Sequence, residues 1–122
     1  MYLQALLASL NGESSVPVTL IDVRTEPEIT ANGALPTAIN IPIAQIGQVM
    51  SSMEPKRFKA LYGVEKPKRE SENPLNQNVV LTCRSGGRAR AAAGILKKLG
   101  FDLRVYPGSF LDWKDNDGPL IF

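Results

Sequence analysis

Cys83 is the only cysteine in this 122-residue chain. It opens the run Cys83-Arg84-Ser85-Gly86-Gly87-Arg88-Ala89, directly after the apolar stretch Val79-Val80-Leu81-Thr82. A strand that ends in cysteine, turns through two glycines and enters a helix near Arg88 aims several backbone N–H groups at one point above the sulfur. Such a cradle binds anions and favours thiolate over thiol. Cysteines at helix N-termini or beside arginines fall from a free pKa of about 8.5 to roughly 3.5–7.5, and each unit of that shift corresponds to about 1.4 kcal/mol. The run therefore predicts a nucleophilic Cys83 in a binding loop formed by Arg84, Ser85, Gly86, Gly87, Arg88 and Ala89. A lone cysteine at a strand end is by default a small buried hydrophobe. Here the loop reverses that default. Packing asks for neither paired glycines nor two arginines, whereas an anion-cradling turn needs close backbone approach and fixed positive charge.

What the chain lacks narrows the chemistry further. It has no histidine, which removes Cys–His and Ser–His nucleophile pairs and HExxH zinc sites. Metal binding through Cys/His clusters is likewise excluded, and no metal or cofactor is expected. Activation of Cys83 must come from loop amides, the helix dipole and arginines. The formal charge of +2, carried by dispersed basic residues, indicates neither a nucleic acid nor an anionic membrane surface as partner. A single cysteine forms no internal disulfide and fits a reducing compartment. The cytosol is the default location, with mitochondria left open. The apolar start, Met1 to Leu10, has no basic n-region and contains Gln4, so it reads poorly as a secretory signal. The length suits one domain over residues 1–122 with its own core.

The remaining elements serve to position Cys83. Leu3, Leu6, Leu7 and Leu10 recur at helical spacing before Asn11-Gly12. Val16 to Val23 reads as a strand too continuously apolar to be buried on one face only, as in a parallel sheet. Thr25 and Glu28 form a capping box with Pro27 in the first turn of a short helix that Asn32-Gly33 stops. Ala38 to Ile41 is a short extended segment cut off by Pro42. Ile43, Ile46, Val49, Met50 and Met53 mark one helix face. A further helix from Pro55 places Phe58, Leu61 and Tyr62 on one side and ends at Gly63. Val64 to Asn78 reads as a surface loop, with Lys66, Lys68, Arg69, Glu70 and Glu72 as its solvated face. Ala89 to Leu99 is a strong helix stopped by Gly100. Phe101 to Tyr106 follows as a strand, and Phe110 to Lys114 as a last short helix carrying Trp113. Alternating strands and helices predict a three-layer α/β domain, a mostly parallel central sheet flanked by helices.

Three blocks, in this order, resemble the single-domain rhodanese family of sulfurtransferases over nearly the whole chain. They are Leu20-Ile21-Asp22-Val23-Arg24 with Gly33 to Pro42, the Cys83-Arg84-x-Gly86-x-Arg88 loop, and Leu99-Gly100-Phe101 through Tyr106-Pro107-Gly108-Ser109 to Trp113. Met53-Glu54-Pro55, Phe58, Leu61-Tyr62-Gly63 and Lys66-Pro67 resemble an insertion of small eukaryotic thiosulfate sulfurtransferase/rhodanese-like domain-containing proteins. Ala34 stands where the family often has histidine, and Thr37 and Ser109 stand where it commonly has glycine. The resemblance implies a rhodanese-like fold and transfer of a sulfane sulfur from thiosulfate or a persulfide to a thiol, such as glutathione or thioredoxin, or to cyanide. The carrier is a persulfide on Cys83, with no other cofactor. Related phosphatases place arginine six residues after the cysteine, where this chain has Ala89; Arg90 stands one further. The loop therefore argues against phosphate chemistry. A non-catalytic binding module on the same scaffold is the other alternative.

Around this loop, Arg88 has two readings: a surface ion pair, the common fate of an arginine, or recognition of the donor's anionic group together with Arg84. Asp22 ends the first buried strand, at the carboxyl edge where ligands of open α/β sheets lie. It is read evenly as a turn-capping carboxylate or as support for the site. Arg24 is expected to be structural, pairing with an acid such as Glu28.

Overall fold

The computed structural model describes residues 18–72, 74 and 77–122. The helix expected over Leu3 to Leu10 and the first residues of the Val16 strand lie outside these. Strand β1 (Thr19–Asp22) is followed by α1 (Glu26–Asn32), β2 (Ile39–Asn40), α2 (Ile43–Ser52), α3 (Pro55–Tyr62), a 3-10 turn at Glu70–Glu72, β3 (Val79–Thr82), α4 (Gly87–Lys98), β4 (Arg104–Val105) and α5 (Ser109–Asp115). The four strands form one sheet in the order β2-β1-β3-β4. Every pairing is parallel, with Ile21 opposite Ile39 and Leu81, and Leu81 opposite Val105.

Side-chain alternation along the two central strands builds a layer on each face. Ile21 and Leu81 point into one cluster with Ile46 and Met50 of α2, Phe58 of α3, and Ala92 and Leu96 of α4. Leu20 and Val80 point the other way, onto Phe110 and Trp113 of α5 with Leu35 and Tyr106. The three-layer α/β reading thus holds, with an all-parallel sheet among the described residues.

The local signals explain most boundaries. Thr25 and Glu28 make the full capping box of α1, and Gly33 closes it at φ +89°. Gly63 ends α3 in the left-handed region at φ +77°, which glycine enters without steric cost. Three expectations change. Leu61 is 61% exposed, because only Phe58 of α3 faces the core and Tyr62 packs on it at 4.7 Å between ring centroids. The strand expected over Phe101 to Tyr106 shrinks to Arg104–Val105. Within the charged loop, Arg69 is anchored rather than merely solvated. Its Nε–H donates to the Leu99 carbonyl at the end of α4, and its guanidinium lies 4.8 Å above the Phe101 ring.

Candidate active site

Cys83 is the first residue past β3, and its side chain is 1% exposed. The turn that follows is shaped by Gly86, the N-cap of α4, at φ +103°. A Cβ there would stand 2.3 Å from the Pro107 carbonyl oxygen, so only glycine brings the chain through. The Gly86 N–H donates to Cys83 Sγ at 3.1 Å, and the Ala89 N–H does so at 3.4 Å. These amides belong to the first turn of α4, whose N–H groups have no helical partners and carry the positive end of the helix dipole. The sulfur is held where the loop's donors converge.

Ser109, the first residue of α5, completes the seat. Its Oγ accepts the Cys83 N–H at 3.1 Å, donates to the Tyr106 carbonyl at 2.8 Å and lies 3.9 Å from Sγ. A hydroxyl has one proton. Two acceptors are within its reach, the Tyr106 carbonyl at the shorter distance and Cys83 Sγ at the longer one. Phe110 N–H to the Cys83 carbonyl and Leu111 N–H to the Arg84 carbonyl, both 3.0 Å, tie α5 to the loop. Burial pushes the Cys83 thiol pKa up; the N–H groups of Ala89 and Gly86, the Ser109 hydroxyl and the Arg88 N–H outweigh it, leaving the pKa below that of an ordinary cysteine. The site thus favours thiolate over thiol more than an ordinary cysteine does, and it does so without a histidine.

The other sequence-selected residues divide into two groups. Arg84, Ser85 and Gly87 are exposed on the loop, Gly86 and Ala89 are buried in it, and Arg88 is partly exposed. Arg88 Nη1 and Nη2 form a bidentate pair with Glu28 Oε1 and Oε2 at 2.6 and 2.8 Å, which bridges α4 to α1. That bond, together with smaller contributions from Thr25, holds the Glu28 carboxyl down at about 2. Asp22 and Arg24 form a separate, fully buried pair. Arg24 Nη2 reaches Asp22 Oδ2 at 2.7 Å, Nε reaches both carboxylate oxygens at 3.1 Å, and the Arg24 N–H caps Oδ1 at 3.0 Å. The expected Arg24–Glu28 pairing is therefore corrected. Two residues apart at a strand end, Asp22 and Arg24 share a face, and that face turns inward over Phe110, whose ring centroid lies 4.5 Å from the guanidinium.

Three supporting residues escaped sequence reasoning. Asn40 Nδ2 bonds the carbonyls of Asp22 and Arg24 at 3.0 and 2.9 Å. Glu28 showed as a capping residue and as a partner for Arg24 but not for Arg88, and Ser109 showed only as a departure at a glycine position. The signal for Ser109 was that glycine position, and the structure gives its reason: the Ser109 φ is +52°, a backbone conformation that favours glycine. Among the described residues, no group of three histidine, cysteine, aspartate or glutamate side chains could hold a metal ion.

Comparison with known proteins gives the same arrangement a lineage. The Rhodanese-like domain family matches residues 3–116. The chain belongs to that family. Among curated relatives, this rhodanese-like chain is 35% identical to human Thiosulfate:glutathione sulfurtransferase over 116 residues, covering 94% of this chain and 90% of that one. It is 41% identical over 97 residues to a Schizosaccharomyces pombe protein provisionally named a mitochondrial thiosulfate sulfurtransferase, covering 79% of this chain and 63% of that longer relative. Among solved structures, the human single-domain sulfurtransferase TSTD1 superposes with a TM-score of 0.71 at 34% identity, covering 93% of this chain and 89% of that one. The parallel α/β domain described above is therefore the rhodanese-like fold of that family.

Proposed function

We propose that the protein is a sulfurtransferase that carries sulfane sulfur on Cys83 by double displacement. The observation that carries this reading is the sulfur itself, buried at the end of β3 and accepting hydrogen bonds from the Gly86 and Ala89 amides. In the first step, thiolate Cys83 attacks the outer sulfur of a donor. With thiosulfate the S–S bond breaks, sulfite leaves with its electron pair, and Cys83 becomes a persulfide anion. The convergent amides stabilise that new charge as they did the thiolate. In the second step, an acceptor thiolate attacks the terminal sulfur, takes it as its own persulfide and returns Cys83 as thiolate. Electrons balance without an external oxidant, and the reaction draws on no resident cofactor or metal. Arg84, with Arg88 when it is released, orients the donor's anionic end. Ser85 and Gly87 supply the open rim of the loop, while Asp22 and Arg24 support the loop from beneath.

Thiosulfate or a persulfide as donor, and glutathione or thioredoxin as acceptor, fit a loop that binds small anions; the human relative's name joins thiosulfate to glutathione. Cyanide would serve in the same second step. The single cysteine fits a reducing compartment, so the cytosol is the proposed location, with the mitochondrion named for the Schizosaccharomyces pombe relative as the alternative. No helix among the described residues is long and apolar enough to cross a membrane. Intact-protein mass spectrometry after thiosulfate treatment tests the proposal. Wild type should gain one sulfur atom and lose it on addition of glutathione, and Cys83→Ser should gain none. Absence of the adduct from wild type would favour a non-catalytic binding module, and phosphate-ester hydrolysis by the pure protein would favour a phosphatase.

A further inference from the structure

We propose that Glu28 is a specificity-determining residue of the Cys83 site: by occupying the Arg88 guanidinium it disfavours small dianionic donors and tilts the site toward thiol persulfides. This rests on the sulfur-transfer reading of Cys83 and goes beyond it. Thiosulfate brings two negative charges to a thiolate, so three must converge within a few ångströms. A thiol persulfide brings one at most on its reacting sulfurs, and none there when it is protonated; in glutathione persulfide the carboxylates sit several bonds away from the sulfur under attack.

Arg84 and Arg90 are exposed to solvent, while the two guanidiniums nearer the interior are already paired. Arg24 is neutralised by Asp22 at 2.7 Å, and Arg88 by Glu28 at 2.6 Å. Arg88 nevertheless lies close enough to feel the charge of Cys83 and of Asp22. It is the guanidinium that a dianion would recruit, and Glu28 competes for it. The carboxylate is not free to follow, because Oε1 also accepts from the Thr25 N–H at 3.2 Å and the Thr25 hydroxyl at 3.0 Å. The capping box pins Glu28 to α1, so a donor must draw Arg88 off a fixed, bidentate partner. The pair is only partly buried, with Arg88 35% and Glu28 29% exposed, which makes exchange feasible where the sealed Asp22–Arg24 pair forbids it.

Glu28→Gln isolates the charge, since glutamine keeps the size and the capping box. Initial rates are measured with thiosulfate and, separately, with glutathione persulfide, at fixed acceptor and low ionic strength. The KM for thiosulfate should fall about threefold or more, the KM for the persulfide should change less, and kcat should hold, in keeping with a partly exposed pair. The thiosulfate KM should also become more sensitive to added salt, because a freed guanidinium now meets the dianion directly. In an Arg88→Ala background the substitution should do nothing. Equal shifts for the two donors, no shift for thiosulfate, or a shift that persists without Arg88 would overturn the role of Glu28 while leaving sulfur transfer intact. If wild type takes up sulfur from neither donor by intact mass, both readings fall together.

Discussion

Two arginine–carboxylate pairs gather at the carboxyl edge of the sheet near Cys83, and their surroundings are opposite. Asp22–Arg24 is 1% exposed on both sides, and Arg24 also donates to the Gly33 carbonyl at 2.9 Å. Glu28–Arg88 is about one-third exposed and joins two helices across the rim. The same chemical groups do different work. A buried ion pair stands on excellent geometry and full satisfaction of its polar atoms, and removing one partner leaves an uncompensated charge. A partly solvated pair gives up little when broken, so its partners are available to chemistry. Burial, more than pairing, decides which arginine is scaffold and which is exchangeable.

The largest expected effect follows directly. Arg24→Ala strands the Asp22 carboxylate in the interior and should cost about 3–5 kcal/mol of folding stability, while Arg88→Ala should cost under about 1 kcal/mol. Urea denaturation midpoints of the two variants, measured side by side, check this. The contrast breaks if the two substitutions cost the same. Activity should separate them as well: folded Arg88→Ala retains persulfide formation with altered thiosulfate KM, because the amides that hold the sulfur are untouched.

A smaller effect tests how the scaffold reaches the sulfur. Ser109 accepts the buried Cys83 N–H, and losing that acceptor should cost about 1–3 kcal/mol. Ser109→Ala keeps the positive φ that favours glycine, whereas Ser109→Gly relieves it. Ser109→Ala should therefore be the less stable of the two. Both variants remove a hydroxyl that favours the ionised sulfur, so the pH midpoint of iodoacetamide alkylation should move upward in each. An unchanged midpoint would confine Ser109 to holding the backbone.

How much of this was legible in the sequence depends on the distance over which each feature is encoded. The Cys83 loop, the capping box at Thr25 and the glycine stops at Gly33 and Gly63 are local, and residue types within a few positions specify them. Parallel pairing followed from the continuous apolar run within Val16 to Val23 and from the alternation of strands with helices, and the structure buries Leu20–Asp22 and Val79–Thr82 accordingly. The charge partners did not follow, because Glu28 and Arg88 lie 60 residues apart and nothing local assigns an arginine to one acid over another. Arg24 illustrates the error: Glu28 is near it in sequence, but the strand end turns Arg24 inward to Asp22 and leaves Glu28 on the rim. Ser109 was hidden for the same reason, since its bond to Cys83 spans 26 positions. Only its place at a glycine position hinted that its backbone was unusual.

The smallest effect probes the exposed pair through pH alone. The Arg88 guanidinium holds Glu28 at about 2 against 4.5 for a free glutamate, so the folded state binds this proton more weakly than the unfolded chain. A depressed carboxyl stabilises fully above the unfolded value and loses its contribution as pH falls through the folded one. The window is therefore about pH 4.5 down to about 2. Across it, wild type should lose its stability advantage over Glu28→Gln, by under about 1 kcal/mol given solvent screening. Added salt should shrink that advantage further at pH 6. An advantage that resists both acid and salt would mean the rim pair behaves like the sealed one. Arg88 would then be fixed in place, and the Cys83 loop would have to bind donors through its amides and Arg84 alone.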